Sequence, residues 1–399
     1  MPFESNLFSS LLLPSVVNGL ICSFIFLFRT GTTDRYADRF FGILLLLITF
    51  RIASWMLGFM GWYDSRDGFS TFMFYFPFSN WYFMGPIALF YFRSVTNSRF
   101  TMTRTDWFHL IPGLISIITT LIITVTDLVI TPFFTGQPLP YHGHTQGELA
   151  LNGIPVWSDL LHAGIYISVG AYSWLIFRDF RLYQRYIRQN YSFTDILSMA
   201  WFGRFLVALA LSVLIWLGFR IWNSLSPLSY QELWFSFFVW GLISYYLSFA
   251  GLLWKKDPSW NLEFSPDWQE PLNTDKTDQH PQLISLLQSG MSDQKWYLDP
   301  ELTLEKLARL MDVSPAAISK ALNSGLTVNF NQFVNRFRVR HVQNLIDTGQ
   351  ATDFSLLGIA LDSGFKSKAT FNRVFKTETG KTPSSYLSMA ENRSQNLHS

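Results

Sequence analysis

Seven apolar stretches of about 20 residues each occupy the first part of this chain. Each has the length that an α-helix needs to cross the ~30 Å hydrocarbon core of a membrane. Buried helices of soluble proteins are a poor alternative at that length and in that number, so we expect a bundle of seven transmembrane helices. The stretches lie near residues 7–28, 40–61, 70–93, 107–130, 157–179, 199–222 and 232–254.

The basic residues between these stretches predict the orientation of the chain in the membrane. Every second connecting segment is basic, with twelve Arg and Lys in all, whereas the opposite segments contain only Arg66. Basic segments remain on the cytoplasmic side of a membrane, so the N-terminus is expected outside and the C-terminus in the cytoplasm. The twelve residues are Arg29, Arg35, Arg39, Arg93, Arg99, Arg104, Arg178, Arg181, Arg185, Arg188, Lys255 and Lys256.

The composition changes after the last apolar stretch. Residues 257–281 contain four Pro and six acidic residues, which is typical of a linker without a fold of its own. This linker is expected to join a membrane domain, residues 1–256, to a helical module, residues 282–390. Residues 391–399 are expected to form a flexible tail.

The helical module contains one pattern twice. An apolar helix ends before Ser314, which can cap a second short helix beginning at Pro315. After a long helix at about 331–347 the pattern repeats, with Gly364 allowing a left-handed turn and Ser367 capping the last helix. A helix, a short turn and a second helix form a helix-turn-helix unit, so the sequence predicts a small all-α domain with two such units.

The last short helix has a basic outer face. Lys368, Asn372 and Lys376 recur at every fourth position, opposite Phe371 and Phe375. Such a helix suits the major groove of double-stranded DNA, where Lys and Asn can contact base edges and basic side chains can neutralise phosphates. From periodicity alone, a solvated charged face is the alternative. The residues expected at a DNA interface are Ser314, Ala316, Ala317, Lys320, Lys366, Ser367, Lys368, Thr370, Asn372, Arg373 and Lys376.

A family signature runs through the same module. It comprises Leu302, Thr303, Leu304, Leu307, Ala308, Ser314, Arg338, Ile359, Ala360, Gly364, Phe365, Ser367, Phe371, Arg373, Phe375, Lys376, Gly380, Thr382, Pro383 and Tyr386. With these residues, positions 296–390 resemble the AraC-type family of bacterial transcription regulators, whose domain holds two helix-turn-helix units joined by a long helix. The resemblance implies sequence-specific binding of promoter DNA on successive faces of the major groove. Together with the apolar stretches, this bacterial family predicts a location in a bacterial inner membrane.

Two departures from the family pattern change what we expect. Thr327 stands where family members usually place a Gly before the connecting helix. The first recognition helix presents Ala316 and Ala317, with Lys320 as its one basic group, and small side chains make few hydrogen bonds to bases. The second helix-turn-helix unit is therefore expected to contribute most of the affinity for DNA.

Three polar residues of the apolar stretches are candidates for sensing a signal. Arg51 lies midway along the second stretch, where a charged side chain is costly and marks a functional position. Asp159 and His162 share a helix face near the outer end of the fifth stretch. We expect these three residues to line an outward-facing pocket for a signal ligand, with a purely structural polar pair as the alternative.

No cofactor or metal is expected. The outer loop holds His142 and His144, which alone are a weak signal for a transition metal. The chain has no Gly-rich phosphate loop, nucleophile elbow or paired-Cys zinc motif, so we do not expect an enzyme.

Together these features predict a membrane-embedded, one-component transcriptional regulator with an unknown signal ligand. We expect the linker to transmit the signal through altered dimerisation of a homodimer or altered exposure of the DNA-binding module. A transporter or membrane enzyme that carries a DNA-binding appendage is the main alternative. A module that docks proteins and no longer binds DNA is a second one.

Overall fold

A computed structural model describes residues 5–29, 35–78, 81–136, 146–152, 155–253, 262–269, 281–350 and 355–397. In these residues the secondary structure is helical, with two isolated β-bridges and no strand, in agreement with the predicted all-α class. The chain divides into two compact units. Unit 1 comprises Met1–Phe180 and Trp201–Ser265, and unit 2 comprises Arg181–Ala200 and Pro266–Ser399.

The first eleven helices lie before residue 254. Most belong to unit 1, whereas α9 and the last turns of α8 belong to unit 2. The helices are α1 (Leu7–Phe28), α2 (Arg35–Phe59), α3 (Gly68–Tyr75), α4 (Trp81–Thr96), α5 (Ile111–Val125), α6 (Thr131–Thr135), α7 (Glu148–Asn152), α8 (Pro155–Asn190), α9 (Thr194–Leu197), α10 (Ala200–Leu225) and α11 (Tyr230–Leu253).

Small residues bring α1 and α2 close together in unit 1. Gly19 lies directly against Thr49, and the Ser23 hydroxyl donates a hydrogen bond of 2.6 Å to the carbonyl of Gly42. Such close approach is typical of helices that pack within a membrane. α11 packs on the same pair, and its Trp234 indole donates to the carbonyl oxygen of Phe8 at 3.0 Å.

Four helices among the described residues are long and apolar enough to cross a membrane by length and composition. They are Leu7–Phe28, Tyr36–Phe59, Asp106–Thr135 and Tyr230–Leu253. The predicted stretches at 157–179 and 199–222 fall on α8 and α10, which include side chains outside the described residues. The total of seven spans therefore stays a prediction.

The third predicted span is not one continuous helix. α3 ends at Tyr75, and Phe76 is extended at φ −72° and ψ 130°. Pro77 explains this end, because the residue before a proline is driven out of the helical region. α4 begins at Trp81 and has 16 residues, which is shorter than a full crossing requires.

Seven further helices of unit 2 build two apolar cores around a long central helix. The first core includes Leu287, Leu307 and Phe333, and the second includes Val342, Phe371 and Phe375. The helices are α12 (Pro281–Asp293), α13 (Leu304–Met311), α14 (Pro315–Ala321), α15 (Phe330–Asp347), α16 (Leu356–Asp362), α17 (Lys368–Thr379) and α18 (Pro383–Leu397). The long helix was predicted at about 331–347, and α15 confirms it.

The middle of the predicted linker, residues 262–269, packs against other residues of the chain. In unit 1, Leu262 and Phe264 are each 1% exposed, and the N–H of Phe264 donates to the carbonyl of Thr96 at 3.2 Å. In unit 2, the ring of Trp268 contacts that of Tyr186, with centroids 5.6 Å apart. Residues 254–261 and 270–280 of this region lie outside the described residues.

Candidate nucleic-acid interface

The first helix-turn-helix unit consists of α13 and α14. α13 ends where Asp312 enters the left-handed region at φ 55°. Ser314 then caps α14, because its Oγ accepts a hydrogen bond of 3.2 Å from the N–H of Ala317, and Pro315 is the first helical residue. Ile318 is completely buried in the first core, which leaves the opposite face of α14 at the surface.

The second unit consists of α16 and α17. Gly364 forms the turn at φ 87°, and a Cβ at this position would lie 2.5 Å from the carbonyl oxygen of Tyr297, so glycine is required. Ser367 caps α17 by accepting a hydrogen bond of 3.2 Å from the N–H of Thr370. The two phenylalanines of α17 are buried in the second core, as their spacing predicted.

Most of the predicted contact residues of the second unit lie together on one exposed face of α17. Thr370 does not lie on this face, since it is 7% exposed and its hydroxyl is hydrogen-bonded to that of Ser367 at 2.8 Å. Thr370 and Ser367 therefore stabilise the start of the helix. The residues of the exposed face are Lys368, Asn372, Arg373 and Lys376.

The first unit presents a less polar surface. Ser314 and Ala316 are exposed, whereas Ala317 and Lys320 are half-buried. Small side chains permit close approach to a groove and contact with thymine methyl groups, but they form few hydrogen bonds. This distribution of polar side chains is consistent with a larger contribution of the second unit to the affinity for DNA.

Arg338 on the connecting helix α15 binds the segment before α13 and Ser192. It is 1% exposed. Its guanidinium donates to the carbonyl oxygens of Tyr297 at 2.8 Å and Asp299 at 2.7 Å, and to the hydroxyl of Ser192 at 3.1 Å. Because its donors are used inside the protein, this residue of the family signature is structural.

The acceptor Ser192 belongs to a segment that the sequence did not connect with this domain. Ser192 is completely buried and donates its hydroxyl to the carbonyl of Leu302 at 2.7 Å. The neighbouring Tyr191 forms an antiparallel bridge with Thr303, and the side chain of Asn331 donates to the carbonyl of Ser192 at 2.8 Å. Residues 191–195 are called here the interhelical segment and comprise the three residues between α8 and α9 and the first two residues of α9. This segment is thus part of the unit that contains both helix-turn-helix units.

This interhelical segment engages two of the predicted DNA-contacting cations. Asp195 forms an ion pair with Arg373, with Nη2 and Oδ1 2.6 Å apart. The ammonium of Lys366 lies 4.2 Å from the ring centroid of Phe193 and 2.7 Å from Oε1 of Glu301. In this conformation Lys366 and Arg373 are therefore occupied by protein groups.

Sequence reasoning missed the interhelical segment because it lies far from the domain along the chain. It was assigned to a basic cytoplasmic loop between two spans. One signal was available, since Tyr183, Ile187 and Phe193 are more apolar than a solvated loop requires, and all three are buried.

The predicted sensing residues can be located only in part. Arg51 lies in unit 1 and lines a cavity together with Trp55 and Tyr230. The side chains of Asp159 and His162 lie outside the described residues, so the expected grouping of the three remains a prediction. His142 and His144 of the outer loop also lie outside the described residues.

Two helix-turn-helix units joined by a long helix define a class of DNA-binding domain. Residues 307–389 match the family described as helix-turn-helix domain. An uncharacterized HTH-type transcriptional regulator of Staphylococcus aureus strain COL is 33% identical over 118 residues, which are 30% of this chain and 14% of that protein. The melibiose operon regulatory protein of Escherichia coli K12 is 27% identical over 97 residues, 24% of this chain and 31% of that protein.

The C-terminal domain is therefore a helix-turn-helix domain of the AraC type, a type that implies DNA binding. The similarity to these relatives covers this domain and a minor share of each of them, 14% in the staphylococcal protein. No solved structure matches the chain.

Proposed function

We propose that this chain is a membrane-embedded, one-component transcriptional regulator that binds promoter DNA in response to a signal sensed by its membrane domain. The observation that carries the proposal is the presence, in one chain, of an AraC-type domain and of helices long and apolar enough to cross a membrane. A regulator of this kind needs no separate messenger, because the sensing and DNA-binding parts are covalently joined.

The surface of α5 supports a bilayer environment for unit 1. Of the most apolar part of Asp106–Thr135, only 11% of the residues are buried. Its exposed side chains include Leu114, Ile118 and Leu121, each about half exposed. An exposed apolar surface of this length is unfavourable in water and is satisfied by lipid.

The interhelical segment offers a route from the membrane domain to DNA besides the linker. α8 begins in unit 1, and its residues from Arg181 onward belong to unit 2. In this proposal a shift of α8 moves residues 191–195, and Asp195 then releases or holds Arg373. Coupling requires such contacts to differ between two states of the protein.

Selection of DNA by the full-length protein in lipid nanodiscs tests the proposal. We expect the protein to enrich, from a random duplex pool, sequences with two half-sites about one helical turn apart, with affinity that falls steeply with salt. The double variant Lys368→Ala/Asn372→Ala should lose this enrichment. The control Lys295→Ala/Asn344→Ala, which removes the same groups away from α17, should keep it. The proposal is contradicted if the wild type enriches no sequence, or if the α17 variant enriches the same sequence as the wild type.

A further inference from the structure

A cavity of about 450 Å³ lies in unit 1 at the C-terminal end of α2. α2 contributes Arg51, Trp55 and Gly58 to its wall, and the remaining wall comes from the turn after α2, from α3 and from the start of α11. In the orientation that the basic loops predict, this end of α2 faces the outside of the cell.

The cavity contains a cation whose hydrogen-bonding capacity is unused. Nε of Arg51 is buried and has no acceptor among the described residues. The guanidinium lies 4.9 Å from the ring centroid of Phe237, a cation–π contact that engages its face and offers no acceptor to its N–H groups. A buried charge without a counter-ion is strongly unfavourable, so this site favours an anion.

Aromatic rings form the walls around this cation. The indole of Trp55 is stacked between Tyr230 and Phe237, with centroids 4.5 and 4.1 Å away. Tyr63 and Phe74 form a second aromatic pair of the cavity, with centroids 4.8 Å apart. A charge next to rigid apolar walls suits a ligand with one anionic group and an apolar body.

Gly58 keeps this space open. A Cβ at Gly58 would contact the hydroxyl of Tyr230 and would lie 3.0 Å from the ring of Tyr63. Asp64 also lines the cavity and is exposed, so it disfavours ligands with several negative charges.

From this geometry we propose that the cavity binds a small monocarboxylate with an apolar or aromatic body, and that this ligand is the signal of the regulator. The carboxylate pairs with Arg51, and the body packs between the walls of Trp55 and Tyr63. The signal role rests on the proposed function, whereas the binding site does not. Both a free aromatic acid from outside and a fatty acid from the bilayer have this chemistry.

Quenching of tryptophan fluorescence in nanodiscs measures binding directly. The probe is 3-(4-bromophenyl)propionate, whose bromine quenches a nearby indole, and its uncharged amide is the matched control ligand. We expect saturable quenching by the carboxylate, with the amide at least about tenfold weaker, because a charge-assisted hydrogen bond is lost. Trp55→Phe should remove most of the quenching and so assign it to this cavity. Equal binding of acid and amide overturns the proposal.

Substitutions separate the effect of the Arg51 charge on binding from effects on folding. Arg51→Met should weaken the probe about tenfold or more, whereas Arg51→Lys should retain part of the affinity. Gly58→Ala keeps the charge and should weaken binding by filling the cavity. Arg204→Met, at an exposed position of α10, should bind as the wild type does. Unchanged affinity in Arg51→Met, in protein with an unchanged melting temperature, overturns the proposal.

Two further measurements assign the source and the role of the ligand. Stronger competition by octanoate than by 3-phenylpropionate indicates a fatty acid from the bilayer, and the reverse order indicates a free aromatic acid. DNA capture by the same nanodiscs should change severalfold when the probe saturates the site. If the probe quenches fluorescence but does not change DNA capture, only the signal role is overturned. If the protein captures no DNA while quenching is intact, the proposed function is overturned and the binding site is retained.

Discussion

Single residues show which charges of the C-terminal domain are structural and which remain available for DNA. Arg338 and Arg373 are both part of the family signature, yet Arg338 is 1% exposed and the side chain of Arg373 is 56% exposed. Burial lowers the pKa of Arg338 to about 9, so its guanidinium still carries a charge at neutral pH. Arg338 therefore organises the domain, whereas the side chain of Arg373 lies at the surface, where it is paired with Asp195.

Replacing Arg338 with Met should destabilise unit 2 strongly. The change leaves the carbonyl oxygens of Tyr297 and Asp299 without their donor inside the protein, which we expect to cost about 3 kcal/mol in the free energy of unfolding. Hydrogen–deuterium exchange of the α13 and α15 amides measures this loss. Arg340→Met, an exposed position two residues away, is the control and should change the exchange little. Equal protection in both variants would contradict the structural role.

Replacing Asp195 with Asn should tighten DNA binding. The ion pair between Asp195 and Arg373 is partly exposed, so breaking it costs little free energy. Because the substitution leaves the guanidinium of Arg373 free to contact DNA, we expect an affinity for DNA that is about two- to fivefold higher. Fluorescence anisotropy with the selected duplex measures the effect on full-length protein in nanodiscs. In an Arg373→Ala background the Asp195 substitution should have no effect. Weaker binding by Asp195→Asn alone would show that Asp195 does not compete with DNA for Arg373.

At the scale of elements, features set by local chemistry could be predicted and long-range contacts could not. Ser314 and Ser367 act through neighbours within a few residues, and the positive φ of Gly364 belongs to its own turn, so the structure has the caps and the turn where the sequence predicted them. The docking of Tyr191 beside Thr303 depends on residues more than a hundred positions apart, and no periodicity marks such a pair. The break of the third span at Pro77 is also local, because the residue before a proline is driven out of the helical region, whereas Pro86 lies inside α4 without ending it.

The turn before α15 stores backbone strain at Thr327. Its φ is 54°, in the left-handed region that β-branched residues avoid, and its side chain is exposed. Thr327→Gly should raise the free energy of unfolding by about 1 kcal/mol, because glycine adopts this conformation without the steric cost. Slower hydrogen–deuterium exchange in α14 and α15 is the readout. Thr327→Ala retains a Cβ and should gain much less, so equal gains in both variants would locate the effect elsewhere.

Protonation of His341 on α15 should destabilise the contact between α15 and the segment before α13 at acidic pH. Burial, with a smaller effect of Lys295, lowers the pKa of His341 below its ordinary value of 6.5. The unfolded chain then binds the proton more tightly, so the full stability is present above about pH 6.5 and is lost as the pH falls through the lowered pKa. Hydrogen exchange of α15, corrected for its intrinsic pH dependence, should show less protection at pH 5 than at pH 7. His341→Phe should flatten this change, and an unchanged pH profile in that variant would assign it to other groups.

At the scale of the whole molecule, the basic loops and the type of the C-terminal domain independently predict a cytoplasmic C-terminus. The distribution of basic loops predicts a cytoplasmic C-terminus without reference to what that terminus does. The AraC-type domain at residues 307–389 requires a location where DNA is present. The chain passes between the two units three times, because it enters unit 2 at Arg181, leaves it after Ala200 and enters it again at Pro266.

Chromatin immunoprecipitation sequencing of the full-length, membrane-resident protein tests the central claim most directly. The comparison is with the triple variant Lys368→Ala/Asn372→Ala/Arg373→Ala, which keeps the membrane domain and removes polar groups from the exposed face of α17. We predict discrete promoter peaks for the wild type that disappear in the variant at equal protein abundance in the membrane fraction. Absence of promoter peaks under all growth conditions, or peaks that persist in the variant, would contradict a membrane-embedded regulator that acts through α17.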